Sequence, residues 1–442
     1  MKTTATSNLS VCLLLIATIV LAGCMKDNIK GKRIYTYTIS TPVFESLSKF
    51  RENIKAGAAS DITSAGKIAI SGQYIFISTP GQGIHVIDNS EPAAPKNISF
   101  INIPGNADLA IAGNTLYADA YSDLITFDIQ NPANPKTKNF ATNVFPSYGG
   151  YYIQDSASKT YSYYYSAMMG PVSEKSLYVI KGWTIKDTTI EYEYDHEPSP
   201  PVVYFGCANC SYALANAAIS SSGGSKGVTT NGSLSRFAIS NNYLYAIGYD
   251  SLSAFDITDR FSPALKGKTY VNWASETVFP FKDKLFVGTT NGMFMYDVQS
   301  TPDKPSLLGQ VSHIRSCDPV IADDNYAYVT LRDGTQCSGF VNQLDVYDIN
   351  NLNSPSLLKT YALTHPTGLS KDGDLLFICD GKDGLKVFDA TDKNNLKLIK
   401  QLKDAETIDV IAYDGLAIVM TVNGIYQYSY SDLNDIHLLS KL

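Results

Sequence analysis

The sequence predicts an all-β chain built as a single β-propeller of four-stranded blades, and three observations predict it. A short apolar strand that ends in aspartate and runs into a Pro- or Asn-rich turn recurs along the chain. The copies are GIHVIDNSEPAAPK (from Gly83), LITFDIQNPANPK (Leu124), LSAFDITDRFSPALK (Leu252), MFMYDVQSTPDKPSLL (Met293), LDVYDINNLNSPSLLK (Leu344) and LKVFDATDKNNLKLIK (Leu385). Their aspartates, Asp88, Asp128, Asp256, Asp297, Asp348 and Asp389, are separated by 40, 128, 41, 51 and 41 residues, near the period of propeller blades. Finally, 44% apolar content with 30 tyrosines favours strands and suffices for a core in a 442-residue chain.

Taken in order, residues 1–23 read as a cleaved lipoprotein signal. Lys2 is a minimal positive region, and the apolar stretch Val11 to Ala22 is short for a bilayer span. The tetrapeptide Leu21-Ala22-Gly23-Cys24 resembles the lipobox of bacterial lipoproteins, which implies lipid on the sulfur and amino group of Cys24. Two or three acyl chains hold a protein durably, at about 0.8 kcal/mol per buried methylene. The following Lys26-Asp27 resembles the surface-export signal of Bacteroidetes lipoproteins. The expected location is the outer membrane, lipid-anchored, at the cell surface.

Residues 24–40 read as a tether, and 41–442 as the propeller. Thr41 to Lys55 carries Val43, Phe44, Leu47, Phe50 and Ile54 at helical spacing, which predicts a short N-terminal helix. The second unit shows the blade grammar: strands at DLAIAG (from Asp108), TLYADA (Thr115), LITFDI (Leu124) and KTKNFAT (Lys136), with a tight turn at Gly113-Asn114. The closing aspartate is placed to accept backbone N–H bonds from the next turn, and the prolines behind it stop the strand.

A seventh unit runs from Thr407 to Tyr430, with Ser429 at the aspartate position. An eighth is expected in the 128-residue gap. There Val144-Phe145-Pro146 echoes Val278-Phe279-Pro280, and Ser176 to Tyr194 reads as two strands. Insertions occupy the region around 150–232, including the tyrosine-rich Tyr161 to Met169. Eight blades is the favoured count and seven the alternative.

Chemical motifs are sparse. Cys207 and Cys210 form a CxxC without a βαβ context; a loop-stapling disulfide is favoured over metal or redox duty. Cys317 and Cys337 flank a strand-turn-strand stretch and form a second candidate disulfide, whereas Cys379 reads as a buried free thiol. His313, Arg315 and Asp318 occupy a connection of the kind that lines a central funnel. Asp155-Ser156-Ala157, Asp187-Thr188-Thr189 and Asp250-Ser251-Leu252 resemble a Bacteroidetes O-glycosylation sequon at Ser156, Thr188 and Ser251. The loop Asp380 to Gly384 lacks the alternating acids of an EF-hand and reads as a turn. No catalytic residue, metal site or cofactor is assigned. A net charge of −7 with no basic-aromatic tract argues against nucleic acid.

The third-strand motif, seen as IHVID, LITFD and LKVFD, resembles that of LVIVD-repeat proteins, and Gly66 to Ile129 resembles lipoproteins of this type from Bacteroidetes. The resemblance implies a lipid-anchored β-propeller and brings no catalytic residues. The expected function is a binding or scaffolding module for an outer-membrane protein assembly or a surface glycan. The alternative is a glycan-processing or other hydrolytic enzyme with its site in the propeller funnel.

Overall fold

The computed structural model describes residues 31–145, 150–164, 169–170, 172–194, 229–231, 235–248, 250–271, 275–312, 319–333 and 341–442. The chain divides into two compact units, residues 1–43 with 182–208, and residues 44–181 with 209–442.

The larger unit is a β-propeller whose blades share one strand order. Blade 1 consists of Ile68–Ser71, Tyr74–Thr79, Gly83–Asp88 and Lys96–Asn102, paired antiparallel in sequence order. Six further sheets repeat this pattern over residues 109–141, 237–270, 275–312, 320–362, 369–402 and 407–441, blades 2 to 7. The first strands of successive blades are neighbours, blade 2 directly against blade 3. The last blade packs on the first: Ile68, Ile70, Ile75 and Ile77 share a cluster with Ile411, Ile418, Met420 and Ile425. That cluster closes a ring of seven.

All eight units counted in the sequence fold as sheets, but the eighth has a different construction. Its strand order is Gly31–Ser46, Leu177–Tyr194, Tyr152–Gln154, Tyr161–Tyr163, so it borrows an N-terminal strand. Val144 and Phe145 do not begin a blade. Phe145 stacks on Phe237 with ring centroids 5.5 Å apart, in the core shared by blades 2 and 3. The stretch Ser176 to Tyr194, expected as two strands, is one strand over Leu177–Tyr194.

The repeat motif has a local physical cause. The amide of the residue two positions on donates to the carboxylate at Asp88 (2.9 Å), Asp128 (3.0 Å), Asp256 (2.9 Å), Asp348 (2.9 Å) and Asp389 (2.9 Å). The glycine opening several third strands is dictated by the fourth strand. A Cβ at Gly83 would lie 2.0 Å from the Ile101 carbonyl oxygen, and one at Gly384 1.9 Å from that of Leu402. The pairing of third and fourth strands slips by one residue at the same point in every blade, a bulge that bends the outer edge.

The N-terminal helix is shorter than expected, Leu47–Glu52, and buries Leu47 and Phe50. Residues 31–46, including the expected tether segment from Gly31 onward, form a strand instead. The alternating, Thr-rich run IYTYTIS carries strand propensity, and sheet pairing wins over the helical spacing of Val43 and Phe44.

Within the smaller unit, the hydroxyls of Thr36 and Thr189 lie 3.0 Å apart, and Thr38 donates to Asp187 at 2.7 Å. Lys32 lies 2.6 Å from Glu191 and 3.1 Å from Glu193. Ile34, Trp183, Ile185 and Ile190 are exposed.

Candidate functional site

The two ends of the propeller differ. At one end every blade turns tightly between its first two strands, and blades 1 to 6 carry the aspartate-capped loop between their last two, with Ser429 in place of the aspartate in blade 7. Gly72, Gly113, Asn241 and Lys282 adopt left-handed φ values of 57°, 59°, 54° and 51° in those tight turns, as hairpins with matching twist require. At the other end lie the strand ends Ala141, Phe237, Tyr270, Ser275, Ser312, Val320, Leu331 and Gln343, between which the chain runs for unequal lengths.

At this variable end a charged belt forms around the start of the first strands. Lys67, Asp108, Arg236 and Asp409 precede equivalent residues, since Ile68, Leu109, Phe237 and Val410 each pair with the fourth residue of their second strand. The belt alternates in sign around the ring, from Asp409 in blade 7 through Lys67 and Asp108 to Arg236 in blade 3. All four side chains are buried.

Asp108 accepts the Leu109 amide at 2.7 Å, the Ser235 hydroxyl at 3.2 Å and the Arg236 amide. Below it, Asp119 accepts the amides of Ala107 and Asp108 at 2.8 Å, and Arg236 Nη2 at 2.9 Å. Burial raises the Asp119 carboxyl, and Arg236 opposes the rise. These two acids are held by amides and one guanidinium, so they form a structural clamp rather than a free acid–base pair. Burial lowers the Lys67 ammonium to about 8, against the pull of Asp108 and Asp409. Asp409, fully buried, is raised well above the usual carboxylate range by burial, and one of its oxygens has no hydrogen-bond partner among the described residues.

Half-buried Glu276 enters the same field. Burial lifts its carboxyl to about 7, opposed by Arg332 and Lys67. On blade 6 the loop Asp380 to Gly384 is a turn, as its composition suggested. Asp380 accepts the amides of Thr364 (3.0 Å) and His365 (2.7 Å) and is paired with Lys386. Asp383 lies 3.4 Å from Lys386 and 3.3 Å from Lys403. Among the described residues no group of three or more His, Cys, Asp or Glu could hold a metal ion.

The sequence-selected residues fare unevenly. Cys24, Cys207, Cys210, Cys317, Cys337, His313, Arg315 and Asp318 lie outside the described residues. Ser156 is exposed in a turn, whereas Thr188 and Ser251 are half-buried. Cys379 is a buried free thiol. His85 is buried beside Thr79 Oγ1 at 2.9 Å, and burial lowers its pKa to about 4, which keeps it neutral.

In the tyrosine-rich stretch the described rings pack on neighbours. Phe44 stacks on Tyr161 at 3.8 Å, and Tyr178 meets the same ring edge-on at 5.1 Å. The start of that stretch is the strand Tyr161–Tyr163, and sheet pairing turns its rings onto neighbours. Nearby, a cavity of about 450 Å³ is lined by Phe50, Asn53, Lys55, Phe100, Asn102 and Lys181, among others.

The charged belt escaped the sequence reading. Stacking the repeats on their first strands would have exposed it, because Lys67, Asp108, Arg236 and Asp409 then fall in one column of otherwise apolar strands.

The LVIVD repeat family model matches residues 62–101 and 104–142, blades 1 and 2. No curated protein matches the chain. Among solved structures, a protein from Lactobacillus plantarum is 13% identical and aligns over 85% of this chain and 96% of its own, with a TM-score of 0.53. BamB from Moraxella catarrhalis is 8% identical, over 88% and 97% of the two chains, with a TM-score of 0.45. At such identities the likeness to the Lactobacillus protein shows the fold alone. The chain therefore carries LVIVD repeats within a single all-β propeller.

Proposed function

We propose that this protein is a non-catalytic binding or scaffolding module, anchored through lipid on Cys24 to the outer membrane and facing the cell surface. Its variable end receives an outer-membrane protein assembly or a surface glycan. One observation carries the reading: among the described residues the strand ends that flank the longer, unequal connections share one end of the blades, while the opposite end repeats one tight turn and, in six blades, one aspartate-capped loop. Loops on a rigid scaffold supply recognition without disturbing strand pairing. The charges at that end are largely spent on each other, as in the Asp108–Arg236–Asp119 clamp.

The test is affinity isolation of the detergent-solubilised full chain from its own membranes, with binding to purified surface glycans in parallel. A stoichiometric membrane protein or a saturable glycan supports the module. Recovery of the chain alone, with no glycan binding, counts against it.

A second reading is favoured by Glu276. A carboxyl lifted to about 7 on the first strand of blade 4, in the field of Arg332 and Lys67, is suited to donate a proton to a glycosidic oxygen. Turnover of a chromogenic glycoside that disappears in Glu276→Gln would replace binding with hydrolysis.

A further inference from the structure

The outer rim carries a pattern that neither the repeats nor the charged belt accounts for. Opposite the penultimate residue of each third strand stands one fourth-strand residue: Leu265 in blade 3, Leu307 in blade 4, Leu357 in blade 5 and Leu398 in blade 6. All four are exposed to the same degree, 51%, 52%, 53% and 51%. In blades 1 and 2 the same position holds Asn97 and Thr137, and in blade 7 the half-buried Leu438.

Those two polar residues are covered by this chain's own N-terminal segment. Asn97 Nδ2 donates to the Ser60 carbonyl at 2.7 Å, and Thr137 Oγ1 to the Ile54 carbonyl at 3.0 Å. Between them Lys55–Gly57 pairs with the outer strand of blade 1. An extended segment thus crosses the rim from blade 2 to blade 1, and the track continues onto the leucines of blades 3 to 6.

Charge selects among occupants. The leucine-bearing strands of blades 3, 5 and 6 contain Lys266, Lys268, Lys359, Lys397 and Lys400 and no acidic residue. Lys266 lies 3.6 Å from Asp256, which leaves four lysines against the aspartates Asp297, Asp348 and Asp389 that close the neighbouring third strands and are capped by, or stand beside, their own turns. Lysine on edge strands also discourages edge-to-edge aggregation, which disfavours a second copy of this rim. A lipid surface is flat, whereas these leucines sit on blades that rotate around the ring axis.

We propose that the rim of blades 3 to 6 binds an extended, acidic protein segment carrying apolar residues at intervals of about six, the spacing by which the N-terminal segment steps from blade to blade. Acidic groups answer the lysines, and each apolar residue covers one leucine. This surface is separate from the variable end, and its test does not depend on what that end binds.

The experiment titrates the detergent-solubilised full chain into a fluorescein-labelled synthetic peptide with leucine at about every sixth position in a Glu/Ser/Thr background. A second peptide replaces each Glu by Lys. The proposal predicts saturable binding of the acidic peptide only, weakened by salt and reduced about tenfold or more by Leu265→Ser, Leu307→Ser, Leu357→Ser and Leu398→Ser together. Should that variant misfold by circular dichroism, the pair Leu307→Ser with Leu357→Ser serves with a smaller loss. Three results overturn the proposal: no saturable binding, equal binding to wild type and variant, or dimerisation of wild type that the variant abolishes.

Discussion

Asn89 and Gln427 form a reciprocal amide pair across the junction of the first and last blades. Asn89 Nδ2 donates to Gln427 Oε1 at 2.9 Å, and Gln427 Nε2 donates back to Asn89 Oδ1 at 2.7 Å. Both side chains are buried. The sheet of blade 1 adds Thr229–Asn231 and Lys55–Gly57 to its own four strands and that of blade 7 has only its own four, so among the described residues no strand is shared across the junction. Side chains hold the two blades together there, with the Pro92 carbonyl accepting from Gln427 Nε2 at 3.3 Å and from Ser440 Oγ at 2.7 Å.

Replacing one partner should therefore cost more than replacing both. Asn89→Leu leaves the Gln427 amide short of a partner, a loss of about 1–3 kcal/mol. The double change to leucine should lose less than the sum of the single changes, apolar groups being satisfied without hydrogen bonds. Urea denaturation of the four proteins checks this; strict additivity would show that the pair does not couple the blades.

The third-strand glycines should be intolerant of any side chain. Gly83→Ala and Gly384→Ala each drive a Cβ into a backbone carbonyl of the fourth strand, with predicted losses above about 2 kcal/mol. Ala at Gly57, where a Cβ meets nothing within 4 Å, is the control and should be nearly neutral. Thermal denaturation separates the two classes.

Two sets of acids give opposite pH trends. Backbone amides hold the carboxyls of Asp88 and Asp128 below their ordinary value. Their contribution is present above the unfolded pKa of about 4 and lost as pH falls through the folded one. Glu276 is the reverse case. Its pKa rises from 4.5 unfolded to about 7 folded, so the native state binds the extra proton and stability declines as pH rises through that window. Melting temperature against pH should show a decline between about pH 5 and 7 that Glu276→Gln flattens. An unchanged slope in the variant would exclude Glu276 as its cause.

Much of the blade architecture was legible because it is local. An apolar run, its closing aspartate and the turn behind it are consecutive residues, and the register that places Asp88 over its turn amides follows from them. What was not legible depends on partners far apart in sequence. Residues 31–46 show strand alternation, but their pairing with Leu177–Tyr194 is set by tertiary contacts. Phe145 reads like the start of a blade because its neighbours echo Val278-Phe279-Pro280; only packing against Phe237 shows it filling an interface. The belt of Lys67, Asp108, Arg236 and Asp409 exists only once the ring brings four blades together. The rim leucines looked like ordinary strand residues until their exposure was known.

Blade 2 and blade 3 meet directly across the long insertion. The Tyr117 hydroxyl donates to the Arg260 carbonyl at 2.8 Å. Tyr117→Phe should cost about 1 kcal/mol, and Ala at the same site more, as it also empties a buried aromatic position. Calorimetric melting of both variants checks the order.

The ring count is the most direct test, because the variable end, the belt and the rim track all follow from it. A density map viewed along the channel, resolving sheets about 10 Å apart, should show seven radial blades with Tyr117 against the Arg260 loop. Eight radial sheets, with residues 152–181 forming a blade between Tyr117 and Arg260, would contradict the account.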